Sequence, residues 1–330
     1  MKNSKNYRLA NMSLLAALLV VFIHISGPKE IGTAAWYFHY IVRSIFATIA
    51  VPYFFCAAGF FLGKHIDEPS WYCDAIRKRV KTLLIPFFFW CGAWTVYSWG
   101  IGIVGDVLKH RPIEWSLLPF MTLDYIGLDF TQAPALFTIW FVRMLMLFVL
   151  VSPLVIFGVR RWSWLTVCGC VLLHLFIGRF LNYYGFSFLS LAYFTAGIVL
   201  ARRPIEVNRK LGLVALAIGI FLGFLGMFQS QSQGLLWTCR GIVMTSFLLV
   251  GIFACIGGWQ LPEWLYSIPF PLYILHLFVI ATFASILPQT ECTITRMLLD
   301  YVLAVVGSVA ILFVGKQFCP RFCNVVFGGR

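Results

Sequence analysis

Long apolar runs separated by short polar breaks occupy the whole chain, at about Leu9–Ser26, Ser44–Leu62, Thr82–Val104, Leu136–Gly158, Trp164–Ile177, Phe186–Ala201, Leu211–Phe228, Gly241–Ile256, Ile268–Leu287 and Met297–Gly315. A helix crosses the hydrocarbon of a bilayer in roughly 17 to 25 residues. The pattern therefore predicts an all-α, polytopic membrane bundle of about ten transmembrane helices, with the fifth, sixth and eighth short or tilted. Residues 1–330 read as a single integral-membrane domain filled by helices, which leaves no room for a soluble catalytic module.

Composition agrees. Hydrophobic residues make up 61% of the chain, aromatic residues 18% and charged residues only 11%, against about 25% charged in a soluble domain. With the N-terminus placed in the cytoplasm, seventeen of the 25 Lys and Arg residues fall on cytoplasmic segments, seven on outer segments, and Arg143 inside a helix. That bias predicts both termini cytoplasmic. The net charge of +13 then serves topology and attraction to anionic lipid, and no nucleic-acid partner is needed to explain it. Lys2, Lys5 and Arg8 precede the first run as they would in a secretory signal. No small-x-small site follows cleanly, however, and Gly27-Pro28 is a poor place to cleave, so the first run is read as a retained helix.

The ten cysteines are scattered, mostly within apolar runs as small hydrophobic residues. Cys168-x-Cys170 and Cys319-x3-Cys323 lack a second ligand pair with nearby His, so no metal site is expected. Cys239 and Cys292 fall near the outer face and would pair only in an oxidising compartment. Three connections stand out. Asp106 to Pro134 is expected outside, either as an amphipathic turn anchored by Trp115, Phe120 and Tyr125 or as a lid. Gly27 to Arg43 is the other long outer connection, with Trp36, Tyr37 and His39, and Lys64 to Lys81 is a cytoplasmic loop.

Against this apolar background a few polar residues carry candidate chemistry. His24, flanked by Phe22, Ile23 and Ile25, is a titratable imidazole near the outer end of the first run. It is either a neutral interfacial side chain bonded to a carbonyl or a working group. Arg77, Lys78 and Arg79 lead directly into the third run, as a positive-inside anchor or as a phosphate clamp. Arg143 lies within the fourth run, where a permanent charge costs about 2.5 to 3.5 kcal/mol on insertion scales. A buried anion or a bound ligand would offset that cost. Asp300 in the last run is the carboxylate available as a counter-ion, or else an outer-interface residue. Tyr273 and His276, three apart in the ninth run, share a helical face and suggest a common cavity.

These residues sit in a recognisable order. Leu19-Val20-Val21-Phe22-Ile23-His24, Val51-Pro52-Tyr53 through Gly59-Phe60-Phe61-Leu62, Arg77-Lys78-Arg79 through Pro86, Ile139-Trp140-Phe141-Val142-Arg143, Tyr193-Phe194-Thr195-Ala196-Gly197 and Phe270 through His276 resemble the membrane acyltransferase-3 family over almost the whole chain. The resemblance implies a multi-pass enzyme of a bacterial inner or plasma membrane. Such an enzyme moves an acyl group, usually acetyl, from cytoplasmic acyl-CoA to a hydroxyl of an extracytoplasmic glycan or lipid-linked acceptor. It also implies roles: His24 as general base or acyl relay, Arg77, Lys78 and Arg79 on the CoA phosphates, and Arg143 on the pantetheine-side phosphate or the carbonyl. Tyr273, His276 and Trp140 would line the substrate cavity. Acyl-CoA is the donor, with no permanently bound cofactor. The chain departs from the family pattern in two places. Ser13 stands eleven residues before His24, where the family carries Arg, with Arg8 five residues earlier, and Ala58 replaces a frequent Ser before Gly59. A transporter is the rival class, although no matched inverted halves are visible. A catalytically silent partner in surface-polysaccharide assembly is the other, kept open by Ser13.

Overall fold

A computed structural model describes residues 6–108, 110, 112, 133–178, 185–228, 234–286 and 291–329. The described secondary structure is entirely helical: α1 (Tyr7–Ile23), α2 (Ala34–Tyr40), α3 (Ala50–Gly63), α4 (Trp71–Arg79), α5 (Ile85–Leu108), α6 (Trp140–Trp162), α7 (Trp164–Phe176), α8 (Phe188–Arg202), α9 (Arg209–Phe228), α10 (Leu235–Cys255), α11 (Pro269–Ile286), α12 (Ile294–Phe318) and α13 (Pro320–Val326). Each apolar run of the sequence, over its described residues, lies mainly on one of these helices. Seven of the helical stretches are long and apolar enough to cross a membrane, while α1, α7 and α8 are shorter apolar helices. The run expected to be short at Gly241–Ile256 is instead part of a 21-residue helix, because Leu235 to Arg240 extend it. Trp115, Phe120 and Tyr125 of the Asp106–Pro134 connection lie outside the described residues.

Two expected loops are largely helical. The connection from Gly27 to Arg43 becomes helix at Ala34, where the Thr33 hydroxyl caps the first turn by accepting from the Trp36 N–H at 3.2 Å. It continues through a π-helical turn at Ile41–Phe46 and a 3₁₀ turn at Ala47–Ile49 into α3. The connection from Lys64 to Lys81 contains α4, which passes through a second π-helical turn, Val80–Leu84, into α5. Pro86 explains part of that distortion, since it has no N–H to offer the Thr82 carbonyl four residues back. The C-terminal Gly328, in the left-handed region at φ +69°, lies so close to that carbonyl that a side chain there would overlap it.

The chain divides into two compact units. One comprises Met1–Lys64 with Ala192–Val314, the other His65–Leu191 with Gly315–Arg330. In the first, α1 packs against α3 and α11, and α9 packs along α10. Glycines set the closest approaches, as is usual between membrane helices. A Cβ at Gly59 would overlap the Phe194 carbonyl, and one at Gly197 would overlap the Cys56 carbonyl, so α3 touches the 192–202 part of α8 backbone to backbone. In the second unit the Tyr72 hydroxyl donates to the Leu150 carbonyl at 3.1 Å, and the Arg160 guanidinium donates to the Ile66 carbonyl at 2.8 Å, holding α4 and the segment before it on α6. The Trp90 indole donates to the Val326 carbonyl at 2.8 Å and stacks near Phe327, which seats α13 on α5. Many large apolar side chains are exposed, among them Leu154 and Phe157 on α6 and Phe221 and Phe228 on α9, as expected of surfaces that meet lipid rather than water.

Candidate functional site

The polar residues of the first unit converge at one end of α1. The helix closes at His24 in a tight turn, with the His24 N–H on the Val21 carbonyl at 3.1 Å and the Ile25 N–H on the Phe22 carbonyl at 3.2 Å. Gly27-Pro28 prevents its continuation. The half-buried His24 ring stacks on His276 of α11, with centroids 5.1 Å apart and planes inclined by 29°. The Tyr273 ring, in a residue 6% exposed, lies 6.5 Å from that of His276. The structure thus brings His24, Tyr273 and His276 together.

His276 is completely buried, and its Nδ1 lies 3.0 Å from the Leu272 carbonyl. A carbonyl only accepts, so Nδ1 is the protonated nitrogen and Nε2 presents a lone pair. No described group hydrogen-bonds to that buried Nε2. Two imidazolium rings at 5.1 Å would repel by about 3 kcal/mol at an effective dielectric constant of about 20, which disfavours a doubly protonated stack.

Two residues that the sequence reading passed over hold this geometry. Asn11, 4% exposed, donates its amide to the carbonyls of Gly257 at 2.9 Å and Trp259 at 3.0 Å, and accepts from the Tyr266 hydroxyl at 3.1 Å. It ties α1 to the segment that leads into α11, and so fixes the register that stacks the two histidines. The available signal was an amide within an apolar run, which needs partners when buried. His39, counted in the sequence only as part of a loop, is 9% exposed; its Nε2 donates to the Ile25 carbonyl at 3.3 Å and its ring lies against Gly27. It braces the turn that ends α1.

The position where the resemblance implies an Arg is closed. The Ser13 hydroxyl lies 2.9 Å from the Tyr53 hydroxyl and 2.9 Å from the Leu9 carbonyl, which Tyr53 also approaches at 2.6 Å. Two protons serve three short contacts, and the cluster is satisfied without a cation. Arg8 is exposed at the start of α1 and does not take the place of the missing guanidinium.

Asp300 finds its partner on its own helix. Both its oxygens accept from the Arg296 Nε at 3.0 Å, one turn back on α12. The proximity of two opposite charges at i, i+4 decides that partnership. Cys239 and Cys292 are free thiols, and Cys292 directs its S–H to the Ser26 carbonyl at 3.3 Å.

The remaining candidates belong to the second unit. Arg77 and Lys78 are exposed on the last turn of α4, Arg77 within 3.7 Å of Asp74, while Arg79 is half-buried. They stand on a helix of their own, which runs through the π turn into α5. Arg143 is 3% exposed on α6, and Trp140, three residues earlier and 9% exposed, shares its face. The neighbours of Arg143 in the chain, Val142 and Met144, are almost wholly buried as well.

Residues 7–315 match the family profile described as an acyltransferase domain. The chain belongs to the acyltransferase-3 family. It is a multi-pass membrane protein and an acyltransferase. It is also similar to the succinoglycan biosynthesis protein ExoH of Rhizobium meliloti (strain 1021), at 25% identity over 285 residues that cover 77% of this chain and 70% of that protein. No solved structure matches the chain. The family profile takes in all of the residues around His24 and nearly the whole of both units, leaving out α13.

Proposed function

We propose that this acyltransferase moves an acyl group, acetyl in the simplest case, from cytoplasmic acyl-CoA to a hydroxyl of a polysaccharide on the outer side of a bacterial inner or plasma membrane. The observation that carries the reading is the stack of His24 on His276 at 5.1 Å, at the end of a helix whose sequence is that of the family's first span. Similarity to a protein of succinoglycan biosynthesis favours a carbohydrate acceptor.

In this reading both termini are cytoplasmic and His24 lies toward the outer face. A thioester is already activated, so the protein needs to orient it and remove a proton from the attacking hydroxyl. His24 takes that proton as the acceptor oxygen bonds to the acyl carbon. The carbon–sulfur bond then breaks, and the proton passes to the departing thiolate. The last carbonyls of α1 place partial negative charge beside the ring while it is protonated, and His276, stacked on His24, holds the orientation of that ring. Arg77, Lys78 and Arg79 hold the CoA phosphates, where a guanidinium matches phosphate oxygens in bidentate fashion. Arg143 meets the pantetheine-side phosphate or the acyl carbonyl, with Trp140 on its own face of α6, and Tyr273 lines the substrate cavity beside His276.

The test is transfer from radiolabelled acetyl-CoA by the purified full chain in nanodiscs, with His24→Ala and the parent assayed against unacylated polysaccharide from a strain lacking the gene. Loss of transfer by at least about a hundredfold in His24→Ala, the range general-base catalysis supplies, is the expected result. Equal rates in the two proteins would remove His24 from the reaction. Absence of thioester turnover in the parent would favour a non-catalytic partner in polysaccharide assembly.

A further inference from the structure

Beside the imidazole pair the first unit contains a cavity of about 1000 Å³, at the top of the range of small-molecule sites. Its apolar wall includes Ile25, the residue after His24, and Ile280, one helical turn beyond His276 on α11. Four residues of helix rise about 6 Å, so the cavity begins within one turn of the stacked rings. Its polar wall is ionic: Lys29, Glu30, Glu291, Arg296 and Asp300, with the hydroxyl of Thr295. The Arg296–Asp300 pair is held by two 3.0 Å contacts with side chains 19% and 26% exposed, which makes it a fixed wall element rather than a pair of mobile surface charges.

The charge balance decides what such a cavity takes. Three carboxylates face two cations, one of them already engaged by Asp300. A CoA moiety or a lipid phosphate would meet net negative charge, so the cavity is unsuited to the donor. Carboxylate oxygens at these positions are acceptors for hydroxyl groups, and a volume of this size holds more than one sugar ring. We infer that this cavity is the acceptor site and that Glu30, Glu291 and Asp300 select an uncharged, polyhydroxylated saccharide chain, seating one of its hydroxyls over His24. The inference rests on the acyltransfer reading for the identity of the reaction, and on the cavity itself for the class of ligand.

The experiment uses the full chain in nanodiscs, with neutral oligosaccharides prepared from the unacylated polysaccharide of the deletion strain. Binding is followed by saturation-transfer NMR and transfer by radiolabelled acetyl-CoA. Glu30→Gln, Glu291→Gln and the cavity-filling Thr295→Trp should each raise the KM for the oligosaccharide by about tenfold, the weight of one lost charge-assisted hydrogen bond, with the KM for acetyl-CoA unmoved. Binding to the parent should be nearly insensitive to salt between about 0.05 and 0.5 M, since an uncharged ligand has no charge to screen. An unchanged oligosaccharide KM in all three variants, or binding only of uronic-acid oligosaccharides with steep salt dependence, would overturn the assignment. Turnover with unaltered acceptor KM in the variants would sink the cavity while sparing the acyltransfer reading. Saccharide binding lost in the variants, without any thioester turnover in the parent, would do the reverse.

Discussion

The Nδ1–H of His276 donates to the Leu272 carbonyl at 3.0 Å, which leaves Nε2 as the lone-pair nitrogen of a completely buried ring stacked on His24. His276 therefore acts through His24, as a positioning residue that holds its ring by stacking. His276→Leu should lower kcat by about a hundredfold with little change in either KM. His276→Gln, whose amide reaches about as far as Nε2, should recover part of that loss. Equal activity of Leu and Gln variants, measured with acetyl-CoA, would reduce the ring to a packing role.

Asn11 meets two carbonyls and a hydroxyl. Asn11→Leu would leave the Gly257 and Trp259 carbonyls without their donor, at about 1 to 3 kcal/mol for a buried orphan. The expected result is a lowered thermal midpoint in detergent, together with weakened transfer as α1 loses its register on α11. An unaltered midpoint would mean that the segment repacks around the loss.

Where α3 meets α8, backbone touches backbone at Gly59 and Gly197. Gly197→Val should lower the yield of folded protein, because the Cys56 carbonyl cannot retreat from a side chain and overpacking of this kind costs about 1 to 3 kcal/mol or more, a large part of a net stability of about 5 to 15 kcal/mol. Monodispersity of a fluorescent fusion on size exclusion reads the outcome. Ala58, by contrast, should tolerate Ser, since a hydroxyl on a half-buried helix position can bond the carbonyl one turn back.

Burial, then the charge of Asp300, raise the Cys292 thiol above its ordinary range. A thiol whose value is raised holds less thiolate at any pH below it, so labelling by a maleimide should be slow near neutrality and accelerate as pH rises through the alkaline range. Asp300→Asn should speed the reaction at fixed pH by removing the negative neighbour, and bound oligosaccharide should slow it. No change in rate in Asp300→Asn would show that burial alone governs the thiol.

Much of the architecture was legible in hydropathy, because lipid imposes it residue by residue: the described parts of the apolar runs are largely helical, and Tyr273 and His276 stand on one helix three residues apart, whereas the stack of His24 on His276 is a tertiary contact that spacing does not give. The misreadings share a cause. Trp36 to His39 and Trp71 to Arg79 looked like loops because polar and aromatic residues interrupt the apolar count, yet a Thr33 cap and the tolerance of π turns carry helix through both. Asp300, open in the sequence between a counter-ion and an outer-interface residue, has its partner one turn away in Arg296. Asn11 was invisible because a sequence shows that an amide is buried only through the partners it finds, and these come from more than two hundred residues further along the chain.

The wide turn at Ile41–Phe46 has a consequence for helical phase. A π turn accommodates one residue more than an α turn, and each residue advances a helix by about 100°. Removing one residue from this stretch would restore regular winding and swing Trp36 to Tyr40 about the axis, carrying His39 away from the Ile25 carbonyl and Ala34 and Ala35 off the cavity wall. Which face this segment turns toward the end of α1 is therefore set by a count of residues, and a change of length here would redraw the cavity with every lining side chain left as it is.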